Sequence, residues 1–503
     1  MTLGKYIRQL MTLVRALRDL HRPGLLAPRL ALLVSLTLPF QSNAQDTELP
    51  TFGGVGGGLI SVQMEQQIGQ QVMQSLRRSA DQVEDPLVNE YLENIVYRLI
   101  PAVPLQDRQV TTVVIDSPAI NAFAVPGNII GVNGGLFLNA ETEQQFASVI
   151  AHELAHLSQR HFARRMEQQE ASAPLTIAGM IAGIILSAVT KSDVGIATIA
   201  GTQAMAVQNM LQYSRSNEQE ADRVGLDILA ESGMDPRGMP EMFEIMMRQN
   251  RLQGNQVPEY LSTHPLTQSR VSDTRSRAEQ YPEADYDDAL EYHLVRARLQ
   301  VHYARTPADA VRAFEEYRES SEAAANVDAA KYGLAVAYLA DNQAARAEKL
   351  LRELLEGQGS RITYQVTLAE SLIAQDQAQA AADMLQEALS RNPRNRPISS
   401  MLARAELQAG NAPRAADLLR GLAREYPNRE DYWLRLAEAE GQARNIVGVH
   451  RARAEYDILL GDLEAAERQL RQAQERVAPD APVRQVITER LSQVSDALAR
   501  NRQ

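Results

Sequence analysis

Ala313, Ala347, Ala381 and Ala415 recur at intervals of 34 residues, and this period leaves little freedom in how the C-terminal part of the chain can fold. Similar strings surround the last three alanines: NQAARAEKLL at 342–351, DQAQAAADML at 376–385 and GNAPRAADLL at 410–419. Thirty-four residues is the tetratricopeptide period, in which each unit is a pair of antiparallel helices. Small alanines let the two helices of a unit approach closely. Pro393 and Pro427, themselves 34 apart, close one unit before the next begins. The next string of this kind, GDLEAAERQL at 461–470, follows its predecessor by 51 residues, one and a half periods. That spacing predicts an extra helix inserted around residues 444–456. Residues 285–500 are therefore expected to form an α-helical repeat solenoid.

A chain of 503 residues exceeds what one core usually supports, so a second domain is expected before the repeats, over residues 45–284. Aromatic residues make up only 5%, with a single tryptophan, while Ala, Leu, Arg and Glu abound. That balance predicts a mainly α protein packed through aliphatic side chains. The absence of cysteine excludes disulfides, zinc–thiolate sites, a cysteine nucleophile and a lipid anchor on an N-terminal cysteine. Residues 1–44 read as an export signal. Lys5, Arg8, Arg15, Arg18, Arg22 and Arg29 form a basic lead, Leu30 to Phe40 an apolar core, and Ser42-Asn43-Ala44 a small-x-small cleavage site before Gln45. An uncleaved anchor is the competing reading, but the apolar run is short for a bilayer span. The segment carries a net +5, so the mature chain would stand near −17 rather than −12. Such an acidic protein is a poor partner for nucleic acid or an anionic membrane surface.

Within 45–284, residues 45–58 read as a flexible N-terminus. Helical patterning runs from Val62 to about Arg98 with a break at Asp85-Pro86. Strand-like runs follow at Val110 to Ile115 and, after the Pro126-Gly127 turn, at Ile129 to Val132. Glu141 to Arg165 and Glu218 to Glu231 are expected helices, the second stopped by Ser232-Gly233, and Pro258 to Pro265 is expected to be loop. Between the two helices, residues 171–190 and 194–214 carry no charge, and each run has the roughly 20 residues needed to cross hydrocarbon. Gly179, Gly183, Gly195 and Gly201 interrupt them, and the second contains Gln203, Gln208, Asn209 and Gln212. A buried helical hairpin beside the active site is the preferred reading over membrane spanning. A surface-exposed patch at 171–214 would instead touch a membrane face or apolar clients.

The chemistry sits at His152-Glu153-Leu154-Ala155-His156. Histidines four apart on a helix project from one face and can meet one metal ion, for which neutral imidazole suits Zn²⁺. Glu153 stands where it can take a proton from a metal-held water attacking a peptide carbonyl, then pass it to the leaving amine. Two solvated histidines on a surface helix would give the same spacing. The apolar flank Phe146, Val149 and Ile150 argues instead for burial. A catalytic zinc keeps three protein ligands and one open position. Glu218 and Asp222 lie one turn apart on a later helix, so Glu218 is the candidate third ligand. Asp222 can accept the outward N–H of a ligating histidine, while Glu220 projects from another face. A solvated acidic helix start would look alike on its own; its pairing with the histidine motif favours the site.

HELAH, the later ExxxD and the upstream NAFAVPGNIIGVNGGLF (Asn121 to Phe137) together resemble the CAAX prenyl endopeptidase family of zinc metallopeptidases and its soluble bacterial relatives. The resemblance implies a zincin-like domain of helices with a small β-sheet and one zinc per subunit. It implies Glu218 as third ligand, with Glu153 and Asp222 as the catalytic pair. It also implies that Asn121 to Phe137 is a strand and tight turn leading towards the metal helix, although a plain core hairpin fits those residues equally well. A lone loop histidine such as His264, in Ser262-Thr263-His264-Pro265, is ordinarily a hydrogen-bonded bystander. Periplasmic members carry a similar loop whose histidine occupies the open zinc position, which makes His264 a candidate regulatory ligand. Arg270 reads as an ion-pairing residue in preference to a substrate-steering one. His161, His293, His302 and His450 are expected to be non-ligands.

Two functions follow. One is a periplasmic zinc endopeptidase for misassembled outer-membrane proteins, a client class that rests on the resemblance alone. In it the repeats recruit clients or the β-barrel assembly machinery. The other is a repeat-based chaperone or adaptor for β-barrel maturation, with proteolysis latent or secondary.

Overall fold

A computed structural model of the chain describes residues 60–168, 214–252, 259–286, 288–320, 324–357 and 359–502. The expected signal, the N-terminus at 45–58 and, apart from Ser214, the two uncharged runs lie outside the described residues.

Helix α1 (Val62–Ser79) begins at Ser61, whose hydroxyl accepts from the Met64 N–H at 3.2 Å. Helix α2 (Pro86–Leu99) starts where the sequence breaks. Asp85 Oδ1 accepts from the Leu87 N–H at 2.9 Å, and Pro86 occupies the first helical position, where its missing N–H has no partner to lose. Strands β1 (Thr111–Ile115), β2 (Ala122–Val125) and β3 (Ile129–Asn133) form a sheet ordered β1-β3-β2, with β3 parallel to β1 and antiparallel to β2. Gly127, at φ 82°, turns the chain from β2 into β3. Helix α1 closes on this turn at Gly69, where any Cβ would stand 2.4 Å from the Pro126 carbonyl oxygen.

Strand β3 runs into α3 (Gly134–Asn139), and Thr142 then caps α4 (Glu143–Ser158), its hydroxyl accepting from the Gln145 N–H at 3.3 Å. Every residue from Glu143 to His156 is buried, so α4 is the central element of this half rather than an amphipathic surface helix. Phe146 packs in a cluster with Tyr91, Phe137 and Tyr292, its ring centroid 4.2 Å from that of Phe137. Burying an aromatic or aliphatic side chain of this size contributes about 1.5–3 kcal/mol. The expected single helix over Glu141 to Arg165 is divided. Arg160 adopts φ 49° after α4, and α5 (His161–Gln168) starts in a new direction. Arg160 is held there by donating to the Ile60 carbonyl at 2.9 Å and by Glu65 at 3.0 Å.

Helix α6 (Arg215–Glu231) packs along α4, and Gly225 permits the approach: a Cβ there would sit 3.4 Å from the His152 backbone nitrogen. Helix α7 (Gly238–Leu252) covers α4 from another side. The expected loop at Pro258 to Pro265 instead contains a short helix, α8 (Glu259–Thr263), followed by α9 (Gln268–Ala278).

Helix α10 (Leu290–His302) serves both halves. Tyr292, Val295 and Leu299 enter the first core, while Leu294, Ala297 and Val301 enter that of the repeats. Helices α11 (Pro307–Ser320) and α12 (Ala324–Ala340) follow. The regular array then comprises α13 (Ala344–Gly357), α14 (Ile362–Ile373), α15 (Ala378–Arg391), α16 (Arg396–Gln408), α17 (Ala412–Glu425) and α18 (Glu430–Gln442). Ala347, Ala381 and Ala415 are fully buried between helices, as their spacing predicts, but Ala313 is exposed. The first unit is longer than the rest, α11 starting 37 residues before α13, and its contact is made by Phe314, whose ring fills the notch at Gly333.

The expected insertion is also corrected. Helix α19 (Ile446–Leu459) begins 34 residues after α17 and so keeps the phase. The following string, GDLEAAERQL, instead opens α20 (Leu463–Arg476), which starts 33 residues after α18 and occupies the other helix of the next pair. Helix α21 (Val483–Arg502) ends the array.

Charged side chains bind the array to the first half. Arg298, largely covered, donates to Asp85 at 2.5 Å, the cap of α2, and to Glu370 of α14 at 2.9 Å. Arg77 of α1 reaches Glu430 at 2.9 Å and the Leu459 carbonyl at 3.2 Å, while Arg78 donates to the Leu460 carbonyl. Two cations thus meet the negative end of α19.

Candidate metal centre

Helices α4 and α6 bring His152, His156 and Glu218 together, and the segment after α8 adds His264. One potential ligand atom from each of the four lies within 4.8 Å of every other, and all four residues are buried. Nε2 of His152 is 3.0 Å from Nε2 of His156 and 3.6 Å from a Glu218 oxygen; Nε2 of His156 is 3.4 Å from the other Glu218 oxygen. Tetrahedral zinc with bonds of about 2.0–2.2 Å sets ligand atoms roughly 3.3–3.6 Å apart, so the separations are close to those of a zinc tetrahedron. Two imidazoles and a carboxylate are the borderline donors that zinc takes.

Glu153 is wholly buried between the histidines, and neither carboxylate oxygen has a hydrogen-bond partner among the described residues. A buried carboxylate without donors is costly, and Nε2 of His264 lies 3.6 Å from one of its oxygens. His264 also places Nδ1 3.1 Å from Glu218 and lies with its ring stacked on Tyr260 at 4.6 Å.

Asp222 lies behind His152, its oxygen 3.1 Å from Nδ1, the nitrogen facing away from the ligand set. Arg270 grips that carboxylate through Nε at 2.7 Å and Nη2 at 2.6 Å. It also reaches Glu218 at 2.7 Å and donates to the Pro265 carbonyl at 2.9 Å. It is thus an ion-pairing residue that ties the carboxylates of α6 to the segment bearing His264. Burial opposes charge on all these groups, and their pairing overrides it. Asp222 and Glu218 are held below the usual carboxylate range, the former by Arg270 and His152, the latter by the three histidines. Burial likewise opposes charge on His152, but hydrogen bonds to Asp222 and Glu218 raise it to about 9, whereas burial pushes His156 well down.

His161 is not in the ligand set, but neither is it a bystander. It is wholly buried, with Nδ1 2.8 Å from Nδ1 of His156 and Nε2 3.2 Å from Glu220. Glu220 projects from a different face of α6 than Glu218 and Asp222, and Arg164 donates to it at 2.8 Å. The sequence held one signal for this: three of the eight histidines fall between positions 152 and 161. The left-handed Arg160 that turns His161 back towards α4 has no glycine or proline to announce it. His293, His302 and His450 lie elsewhere, paired with Asp288, Asp116 and Gln469.

Truncating Arg270 would leave two buried carboxylates without their cation, a change that costs about 3–5 kcal/mol. Arg270→Ala is therefore expected to lower the denaturation midpoint sharply, measured on chelator-treated protein. Wild-type stability would show that the pairing is not needed.

A helix presenting two imidazoles around an unbonded glutamate, completed by a carboxylate from a second helix, is a metallopeptidase arrangement. Comparisons with known proteins agree. The family model for peptidase family M48 matches residues 86–278, and one for the tetratricopeptide repeat matches 372–439. The chain is 34% identical over 335 residues to the β-barrel assembly-enhancing protease of Escherichia coli, covering 66% of this chain and 68% of that one. It is 39% identical to a Vibrio cholerae relative that bears the same name provisionally, covering 64% of this chain and 66% of that one, just under two thirds of its length. A mitochondrial metalloendopeptidase of Arabidopsis thaliana is 32% identical over 31% of this chain and 29% of its own. The chain belongs to peptidase family M48.

Proposed function

We propose that this protein is a periplasmic zinc endopeptidase that hydrolyses misassembled outer-membrane proteins and promotes β-barrel assembly. The observation that carries the chemistry is Glu153, a buried carboxylate with no hydrogen-bonded partner among the described residues, beside a converged His–His–Glu set. His152, His156 and Glu218 would hold the zinc, which when bound supplies a Lewis acid that brings a water's pKa to about 7. Glu153 accepts the proton of the attacking water and returns it to the departing amine. Asp222 orients His152 through Nδ1, and Arg270 holds Asp222. His264 occupies the remaining side of the set, which supports a resting state in which its imidazole fills the position that substrate chemistry needs.

The compartment and clients are supported by the export-signal pattern of the sequence and by relatives named for β-barrel assembly. No helix among the described residues is long and apolar enough to cross a membrane. The repeat helices, bound to the catalytic half through Arg298 and Arg77, are the surface on which clients or assembly machinery would be received.

The test is to offer the full chain an unfolded outer-membrane β-barrel protein, the same barrel folded in lipid, and an unfolded soluble protein. The unfolded barrel should be cleaved preferentially, chelation should abolish cleavage, and added zinc should restore it. Equal cleavage of both unfolded proteins would contradict the client class, and cleavage that survives chelation would contradict the metal.

A further inference from the structure

We propose that His161, held by Glu220, is a positioning residue that prepares His156 to ligate metal. The inference rests on the reading of His152, His156 and Glu218 as a zinc centre.

Neutral imidazole carries one N–H. Nε2 of His156 faces the ligand set, 3.0 Å from His152 Nε2 and 3.4 Å from Glu218, and it must be bare to bind a cation. The proton of His156 therefore belongs on Nδ1, which points at Nδ1 of His161 from 2.8 Å. Two nitrogens at that distance share one hydrogen, so His161 Nδ1 accepts and its own proton belongs on Nε2. That nitrogen lies 3.2 Å from Glu220, which accepts it. Each link sets the next: Glu220 selects the tautomer of His161, and His161 selects that of His156.

The two ligating histidines are thus braced in different ways. On one side Arg270 holds Asp222, and Asp222 meets His152 directly. On the other Arg164 holds Glu220, which acts on His156 through the intervening imidazole of His161. The left-handed turn at Arg160 places His161 within reach, since five residues along an unbroken helix would put it on another face.

Zinc affinity of the full chain, measured by competition with a chromophoric chelator, separates positioning from space-filling. His161→Phe keeps a ring in the buried site but offers no acceptor. His161→Asn places an oxygen where Nδ1 stood. Loss of such a partner typically weakens metal binding about 10- to 100-fold. His161→Phe is expected to show that loss, and His161→Asn to recover most of it. The cobalt-substituted Phe variant should have a shifted visible spectrum, reporting an altered His156 bond. Glu220→Gln, at a half-exposed position that does not endanger folding, should weaken zinc binding several-fold.

Wild-type affinity in both His161→Phe and Glu220→Gln would overturn the proposal, as would an Asn variant no better than Phe. If His161→Phe does not fold, Glu220→Gln decides alone. Failure of the wild type to bind stoichiometric zinc would overturn the zinc reading itself; normal wild-type binding with unaffected variants would overturn only the relay.

Discussion

Glu153→Gln is expected to retain one zinc per chain and to lose peptide hydrolysis by about 10²- to 10⁴-fold, the range contributed by general acid–base catalysis. Glutamine has almost the shape of glutamate, so the packing of α4 should survive. The substitution also removes a buried carboxylate that has no donor among the described residues, so stability should hold or rise. What is lost is the proton acceptor. The measurement is turnover of an unfolded barrel substrate beside zinc content. Near-normal turnover would remove Glu153 from the mechanism. The same variant separates peptidase from adaptor: full rescue of an outer-membrane assembly defect by Glu153→Gln would assign that role to the repeats rather than to cleavage.

His264→Ala is expected to raise proteolysis. His264 is buried, its nitrogens lie 3.1 Å from Glu218 and 3.6 Å from Glu153, and its ring is stacked on Tyr260. An imidazole there stands in the space a substrate carbonyl and attacking water must enter. The backbone around it is secured from both sides: the His264 N–H donates to the Tyr260 carbonyl at 2.8 Å, and the Pro265 carbonyl accepts from Arg270. Turnover would require that segment to move. A latch favouring the closed state by about 1.4 kcal/mol hides nine-tenths of the enzyme, so its removal should raise the rate about tenfold. An unchanged or reduced rate, with zinc content intact, would contradict the latch.

The parts of this structure legible in sequence are those set by spacing. Histidines four apart, carboxylates four apart and alanines 34 apart each convert directly into a helix face, and all three kinds of pattern place residues together in the fold. Spacing failed where a local substitute satisfied the packing. Ala313 has the period but faces solvent, because Phe314 and Gly333 make the contact that small residues make elsewhere. The suspected insertion kept phase because what shifted was the motif, not the helices: an alanine-rich string that usually opens one helix of a pair opens the other at α20. His161 was missed for a related reason. Its partner on α6 lies 59 residues away, and the turn that brings it back is carried by an arginine with positive φ. The ionic weave of Arg270, Asp222 and Glu218 was visible only as its separate charges, since its geometry depends on how closely α6 approaches α4 at Gly225.

The most direct test of the metal site is elemental analysis of the purified wild type beside His156→Ala. One zinc per chain in the wild type and its loss in the variant are expected, because two of three ligands cannot hold the ion against a chelator. Stoichiometric zinc retained by His156→Ala would contradict the site.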